Sequence, residues 1–383
     1  MATRLLTVAT GGFESARHLA VPTDGNRRGQ LHGHGFRASV AVELPEAWAP
    51  FPGGEVAALQ ARMQQVLEPL NGTLLNRVID QPTDTNIARW IGNRLALPGI
   101  HRLAVQSTAD QGVELERDER ARIWRRYPFE AAHQLPNVPL GHKCGRMHGH
   151  GFQAIVHAHS SPGSRSRDID YDLLDEVWHP LHNTLDHTCL NDVEGLSNPT
   201  SELIASWLWE RLKPTLPELS SVDVFETASS GANFNGRDYR IWKDFTLDSA
   251  VQLQRAPAGS RERALHGQTF RLRLQLCAPI DTVMGWTVDF GDVKTRFEPV
   301  FSRLDHQPLH ALAELRDADT ASIAEWIYRT TKVQLPQLAG VELFETRGCG
   351  SIIGESRTIP GLPAEDRVCS PVVPIAGNIS TRL

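Results

Sequence analysis

The chain has 383 residues, of which 40% are hydrophobic and 22% are charged, and its formal net charge is −6. This acidic balance argues against nucleic-acid binding, which depends on a basic surface. No apolar stretch approaches the ~20 residues of a membrane span, and the first residues lack the apolar core of a secretory signal. Five cysteines are too few and too scattered for a disulfide framework. We therefore expect two or three domains in a reducing cytoplasm.

The chain contains 16 histidines, and several of them fall in a word that recurs along the sequence. The word occurs as LHGHGF at 31–36, MHGHGF at 147–152 and LHGQTF at 265–270. A second word recurs with the same period of roughly 117 residues, as IARWI at 87–91, IASWL at 204–208 and IAEWI at 323–327. Two markers with one period predict three tandem copies of one small domain.

The predicted domains are copy one at 1–118, copy two at 119–238 and copy three at 239–359, followed by a proline-rich carboxyl-terminal arm at 360–383. Each copy predicts the same order of elements: two strands around the histidine word, two amphipathic helices and a closing stretch of strand. In copy two, Asn198 or Thr200 is positioned to cap the second helix. The predicted buried stripe of that helix is Leu203, Ile204, Trp207, Leu208 and Leu212.

Copy two contains a set of residues typical of a metal site. His133 ends the word FEAAH, and His148 and His150 follow in CGRMHGH, four residues or more after Cys144. Residues two apart on an extended chain share one face, so His148 and His150 point the same way and His133 can join them from the preceding strand. Three neutral imidazoles that leave a fourth position open are the arrangement of catalytic zinc sites.

Copy two resembles the 6-pyruvoyltetrahydropterin synthase / 6-carboxytetrahydropterin synthase family in four words: FEAAH, the Cys-x3-His-Gly-His spacing, Leu-Asp-His at 185–187 and Phe-Glu-Thr at 225–227. The resemblance extends over all three copies. It implies an α+β protein with the T-fold, in which three units close a twelve-stranded antiparallel barrel with helices outside. Family members usually stack two trimeric rings, so the resemblance implies a homodimer of pseudo-trimeric rings for a chain that supplies a whole ring.

The resemblance also implies a substrate and a role for each matching residue. The substrate is the small molecule 7,8-dihydroneopterin triphosphate, and the Cys–His spacing is similar to that of the bacterial 6-carboxytetrahydropterin synthases, which release acetaldehyde and triphosphate in the queuosine pathway. A 6-pyruvoyltetrahydropterin synthase and a catalytically degenerate pterin-binding or scaffold protein are the alternatives. The implied roles are zinc binding for His133, His148 and His150, proton abstraction for Cys144, proton relay for Asp186 and His187, and pterin anchoring for Glu226.

Copy one keeps histidines but changes the other positions. His18, His32 and His34 repeat the metal set and predict either a second zinc site or a relic polar cluster. The step from His18 to His32 is 14 residues, whereas the step from His133 to His148 is 15. The changed positions are Arg28 for the cysteine, Asn71 and Gly72 for the relay pair, and Gln106 for the glutamate.

Copy three shows the opposite pattern, because it loses the metal set and keeps the rest. Val251 and Gln268 replace the first and last histidines, and Glu262 stands at the cysteine position. The residues that remain intact are the relay pair Asp305 and His306 and the pterin-anchoring Glu345.

In the family that the chain resembles, sites lie between neighbouring units. If the metal set of each copy works with the relay pair of the next copy, each interface keeps both halves of its site or loses both. The copy-two histidines and Cys144 then work with Asp305 and His306 of copy three. The same rule pairs the copy-one histidines with the relay pair of copy two and leaves the interface of copies three and one without either half. The basic run that contains Arg165 and Arg167 predicts either a solvated loop or a contact with the triphosphate.

Overall fold

The computed structural model describes residues 3–19, 29–160, 169–345 and 348–355. Several sequence-based expectations concern residues outside these ranges: Arg28, Arg165, Arg167 and the carboxyl-terminal arm at 360–383. The fold and the sites below concern the described ranges.

Twelve long strands, four from each copy, form one closed antiparallel barrel. The strands of copy one are β1 (Thr3–Arg17), β2 (His32–Val42), β4 (Ile100–Thr108) and β5 (Gln111–Glu116). Those of copy two are β6 (Ala121–His133), β7 (His148–Ser160), β9 (Leu219–Thr227) and β10 (Ser230–Phe234). Those of copy three are β11 (Tyr239–Val251), β12 (His266–Cys277), β13 (Leu338–Glu345) and β14 (Gly350–Glu355). The two-residue strands β3 (Thr73–Leu74) and β8 (Thr188–Cys189) add parallel to β1 and β6.

The barrel closes because the last strand pairs with the first. In β14 and β1, Glu355 lies opposite Thr3 and Gly350 lies opposite Val8. A closed barrel leaves no exposed strand edge, which an open sheet of this length would have. The predicted twelve-stranded T-fold barrel is therefore confirmed, and one chain supplies the whole ring.

Six helices, two from each copy, pack against the strands of the barrel. They are α1 (Glu55–Leu67), α2 (Asp84–Leu95), α3 (Tyr171–Leu185), α4 (Ser201–Leu212), α5 (Phe290–Phe301) and α6 (Thr320–Gln334). Thr200 caps α4 by accepting the N–H of Leu203. The predicted stripe of α4 is buried except for Leu203, which is half-buried. None of the described helices is long and apolar enough to cross a membrane.

Alternate residues of each strand face either the helices or the barrel interior. In β6 and β7, Phe129 and Phe152 stack at 5.1 Å and pack with Trp178 of α3, which places them on the helix side. Trp124 points to the other face and packs inside the barrel with the side chain of Trp242. His133 and His150 share the helix-side face, because their strand positions are an even number of residues from Phe129 and Phe152.

Candidate active site

Three histidines of copy two meet where strands β6 and β7 begin to separate. The register places His133 directly opposite His148, and His150 lies two residues further along β7. The ring of His133 is centred 4.5 Å from that of His148 and 5.3 Å from that of His150. The rings of His148 and His150 are 5.0 Å apart. The structure thus brings the predicted set of three imidazoles together.

Glu226 of β9 completes this group. Its Oε1 lies 3.3 Å from Nε2 of His150 and 3.9 Å from Nε2 of His133. One ligand atom from each of the four residues can be chosen such that all lie within 4.8 Å of one another. We call these four residues the histidine cluster; in the described ranges no other group of histidine, cysteine or carboxylate side chains reaches this geometry.

The hydrogen bonds of the histidine cluster prepare it to bind a metal. Nδ1 of His133 lies 3.0 Å from the carbonyl oxygen of Pro199, and Nδ1 of His148 lies 2.7 Å from that of Arg146. A carbonyl oxygen only accepts, so each Nδ1 donates and each Nε2 keeps its lone pair. Nε2 of His133 and of His150 is buried without a hydrogen bond. Burial also lowers the pKa of His133, which favours the neutral ligand form. The three imidazoles fit zinc, whose catalytic sites have three protein ligands and one open position.

Cys144 lies beside the histidine cluster and is not one of its four members. It sits in the single-turn helix Lys143–Gly145, where its N–H donates to Nδ1 of His142 at 3.2 Å. Its carbonyl accepts the N–H of Leu135 at 2.8 Å. Burial raises the pKa of the Cys144 thiol, and the carboxylates of Glu226 and Asp289 raise it further. Without a bound metal ion, the side chain of Cys144 is therefore a protonated thiol at neutral pH.

Copy three forms the other wall of this site. Nε2 of His142 lies 3.5 Å from a carboxylate oxygen of Asp289, the residue that caps α5. The side chain of Asn198 donates to the carbonyl of Met284 at 2.7 Å, and Thr200 donates to that of Gly285 at 2.5 Å. Asn137, in the loop that carries Cys144, donates to the carbonyl of Val283 at 2.7 Å, so the segment before α5 also contacts that loop. The prediction that a neighbouring copy borders the copy-two site agrees with these contacts.

The relay pair of copy two, Asp186 and His187, is hydrogen-bonded to strand β6 of its own copy. Oδ1 of Asp186 accepts the N–H of Glu130 at 2.9 Å, and its Oδ2 lies 2.8 Å from Nδ1 of His187. His187 adopts a left-handed backbone (φ 56°) and donates its N–H to the carbonyl of Glu130. The side chain of His187 is 80% exposed. An open depression next to His187 is bordered by His150, so the pair lies near the rim that carries the histidine cluster.

Asp305 and His306 repeat this geometry within copy three, and their pairing with Cys144 inside one chain stays a prediction. Oδ1 of Asp305 accepts the N–H of Asp248, and His306 is 78% exposed. Helix α5 has 12 residues and spans about 18 Å. Asp289 at its start faces copy two, whereas Asp305 follows its far end. The sequence could not show which end of α5 faces the neighbouring copy.

The strand register excludes His18 from a metal site with His32 and His34. The predicted second metal set of these three histidines was therefore wrong. The residue opposite His32 is Arg17, at the position that His133 occupies in copy two. A shift of one residue moves a side chain to the other face of a strand. His18 is exposed, and its main-chain N–H and carbonyl bond to the side chain of Asn76.

A buried ion pair fills the copy-one position instead. Arg17 donates to Oδ1 of Asp84 at 2.7 Å, and both side chains are at most 5% exposed. Ser107 and Tyr171 donate to Oδ2 of Asp84, each at 2.7 Å. Arg37 pairs with Gln106 at the place where Gln153 pairs with Phe225 in copy two. Ser107 is therefore the counterpart of Glu226, and the assignment of Gln106 to the glutamate position was wrong.

Substitution of Asp84 by alanine is expected to lower the free energy of unfolding by about 3–5 kcal/mol, because it leaves the charge of Arg17 buried and unpaired. Chemical denaturation measures this loss. The control is the double variant Arg17→Met/Asp84→Leu, which removes both charges and should cost much less. A loss below about 1 kcal/mol in Asp84→Ala would contradict the structural role of the pair.

Glu202 of α4 joins copy two to copy three and gives a pH-dependent stability. Its Oε1 accepts the N–H and the hydroxyl of Thr287 at 2.8 and 3.1 Å. Burial raises the pKa of Glu202 to about 7 from an ordinary value of 4.5. The folded state therefore binds a proton more tightly than the unfolded state between these two values. This contribution is present below pH 4.5 and is lost as the pH rises through 7.

The variant Glu202→Gln keeps the acceptor oxygen and removes the ionisation. We expect it to match the wild type at pH 5 and to be more stable at pH 8, by at most about 3 kcal/mol. Urea denaturation of zinc-loaded protein at both pH values measures the difference. Equal destabilisation at pH 5 and pH 8 would show that Glu202 is ionised in the folded protein.

The fold and the site together define a class of protein: a T-fold ring supplied by one chain, whose described ranges contain one candidate metal centre in the second repeat, next to the third. A family model described as 6-pyruvoyl tetrahydropterin synthase matches the chain three times, at residues 7–118, 122–237 and 240–356. The chain belongs to the 6-pyruvoyl tetrahydropterin synthase family.

Individual repeats are similar to shorter curated and solved proteins. The chain is 42% identical over 119 residues to a 6-carboxy-5,6,7,8-tetrahydropterin synthase of Synechocystis, which covers 29% of this chain and 91% of the relative. It is 34% identical over 94 residues to a dihydroneopterin monophosphate aldolase of Pyrococcus furiosus, covering 23% of this chain and 79% of the relative. The solved 6-pyruvoyl tetrahydropterin synthase of Caenorhabditis elegans matches with 26% identity and a TM-score of 0.27, covering 30% of this chain and 94% of that one.

Proposed function

We propose that this protein is a zinc-dependent lyase that converts 7,8-dihydroneopterin triphosphate and one water to 6-carboxytetrahydropterin, acetaldehyde and triphosphate. The observation that carries the proposal is the histidine cluster beside Cys144. The similarity to the Synechocystis 6-carboxy-5,6,7,8-tetrahydropterin synthase supports the carboxy product over the pyruvoyl product. A place in queuosine biosynthesis and in the cytoplasm is part of the same proposal.

Three residues of copy two would hold the metal, and two others would handle the substrate. His133, His148 and His150 supply the zinc ligands. Zinc, when bound, acts as a Lewis acid toward substrate hydroxyls and lowers the pKa of a nearby thiol. Cys144 then removes a proton from the substrate side chain. Glu226 accepts two adjacent N–H groups of the pterin ring, a pattern that suits a carboxylate; Ser201 donates to its Oε2 at 2.9 Å and orients it.

We further propose that two rings stack and that the relay pair comes from the second chain. The side chains of His187 and His306 are 80% and 78% exposed. Each histidine has a left-handed backbone conformation, and its Nδ1 lies 2.8 Å from the carboxylate of the preceding aspartate. An exposed imidazole in so constrained a pose is suited to act on a group outside its own chain. Within one ring, Asp289 at the start of α5 faces His142, whereas Asp305 follows the other end of this 12-residue helix.

The test of the proposed function is an assay with zinc-loaded protein and 7,8-dihydroneopterin triphosphate. We expect one acetaldehyde and one triphosphate for each 6-carboxytetrahydropterin formed. A pyruvoyl product without acetaldehyde would assign the protein to the other branch of the family. No turnover in zinc-loaded protein would contradict the proposal and favour a binding or scaffold role.

A further inference from the structure

The interface between copies three and one contains a cavity of about 500 Å³. It occupies the place that the histidine cluster and Cys144 occupy between copies two and three. Its walls come from the hairpin of β11 and β12, the start of α6, the end of β13 and the start of α1. This volume lies within the range of small-molecule sites.

This cavity lacks two of the three histidines of the metal set, but the space beside them remains open. Val251 lies opposite His266, as His133 lies opposite His148, and Gln268 takes the place of His150. The side chains of Val251 and Phe270 are almost fully buried and give the cavity an apolar wall. One imidazole cannot form the ligand set of a zinc site.

Copy one leaves the cavity open because it presents glycines to it. Gly54 precedes α1 as Asp289 precedes α5, so no side chain stands where Asp289 meets His142. Gly53 has a φ of +94°, and a Cβ there would come within 3.3 Å of Asp319. The interface of copies one and two differs, since the pair of Arg17 and Asp84 occupies its corresponding position.

The cavity keeps the carboxylate that corresponds to Glu226 of copy two. Glu345 ends β13 opposite Phe270 and lines the cavity together with Thr320, the counterpart of Ser201. A carboxylate can accept two parallel N–H donors from one edge of a planar heterocycle. An apolar wall beside such a carboxylate suits the face of the same ring.

We propose that this cavity is a second, metal-free binding site for a planar 2-amino-4-oxo heterocycle of the pterin class. The choice of that class rests on the proposed function of the copy-two site. The cavity binds without turnover, because it lacks both the set of three imidazoles and the thiol. Each chain then carries one catalytic site and one site that only binds.

The test is calorimetric titration of zinc-loaded protein with neopterin. The wild type is expected to bind two equivalents, and Glu226→Gln and Glu345→Gln one equivalent each. The affected site should weaken by about 10- to 100-fold, because the neutral amide offers one acceptor and one donor. Ala57→Trp is a second way to block the cavity, since Ala57 is an exposed helix residue on its rim. It should lose the same equivalent as Glu345→Gln.

The other outcomes separate this inference from the proposed function. One equivalent in the wild type that Glu226→Gln removes and neither Glu345→Gln nor Ala57→Trp affects would overturn the second site only. One equivalent that Glu345→Gln and Ala57→Trp remove and Glu226→Gln keeps would support the second site and contradict pterin binding in copy two. No binding to the wild type would overturn both.

Discussion

Substitution of Cys144 by alanine is expected to lower kcat by about 10²- to 10⁴-fold, the range that a positioned acid–base group contributes. The zinc content should not change, because Cys144 is not a member of the histidine cluster. The helix that carries it should also persist, since its bonds to His142 and Leu135 use main-chain atoms of Cys144. Steady-state kinetics and metal analysis of the same preparation measure both quantities.

The control is Cys277→Ala, which removes another half-buried thiol at the end of β12. It should leave kcat and zinc content unchanged. Wild-type kcat in Cys144→Ala would exclude the thiol as the base. Loss of zinc in that variant would instead place the thiol among the metal ligands.

Two inactive variants are expected to restore activity when they are co-expressed. One is Cys144→Ala, and the other is the double variant Asp186→Ala/Asp305→Ala. If the relay pair comes from the second ring, a mixed dimer contains one site with an intact thiol and an intact aspartate. Random pairing makes half of the dimers mixed, so about a quarter of the wild-type activity should return. Differently tagged chains allow the mixed dimer to be purified and assayed.

Failure of complementation has a definite meaning when each homodimer folds and binds zinc normally. If the purified mixed dimer stays inactive, the thiol and the relay pair must act within one chain, and the stacking proposal is wrong. If the double variant alone is fully active, neither aspartate takes part in the reaction.

The repeat made the fold predictable from the sequence, because two words with one period define three copies. The histidine word also predicted the cluster of copy two, since alternate residues of a strand share a face. The same rule, applied with care, excludes His18. Phe13 and His18 are five residues apart along their strand, whereas Phe129 and His133 are four apart, and an odd spacing reverses the face.

Other features depend on tertiary contacts that leave no mark in a motif. The position of Asp305 follows from the direction of α5, whose first end meets copy two. The cavity beside Glu345 follows from Gly53 and Gly54, which lie far from it in sequence. The ion pair of Arg17 and Asp84 joins residues 67 positions apart, and no motif contains both of them.

Copy two alone is expected to hold a metal centre, and the zinc content per chain tests this expectation most directly. We predict about one zinc per chain in the wild type, none in His148→Ala and one in the matched copy-one variant His32→Ala. Two zinc ions in the wild type, or loss of zinc in His32→Ala, would contradict this expectation.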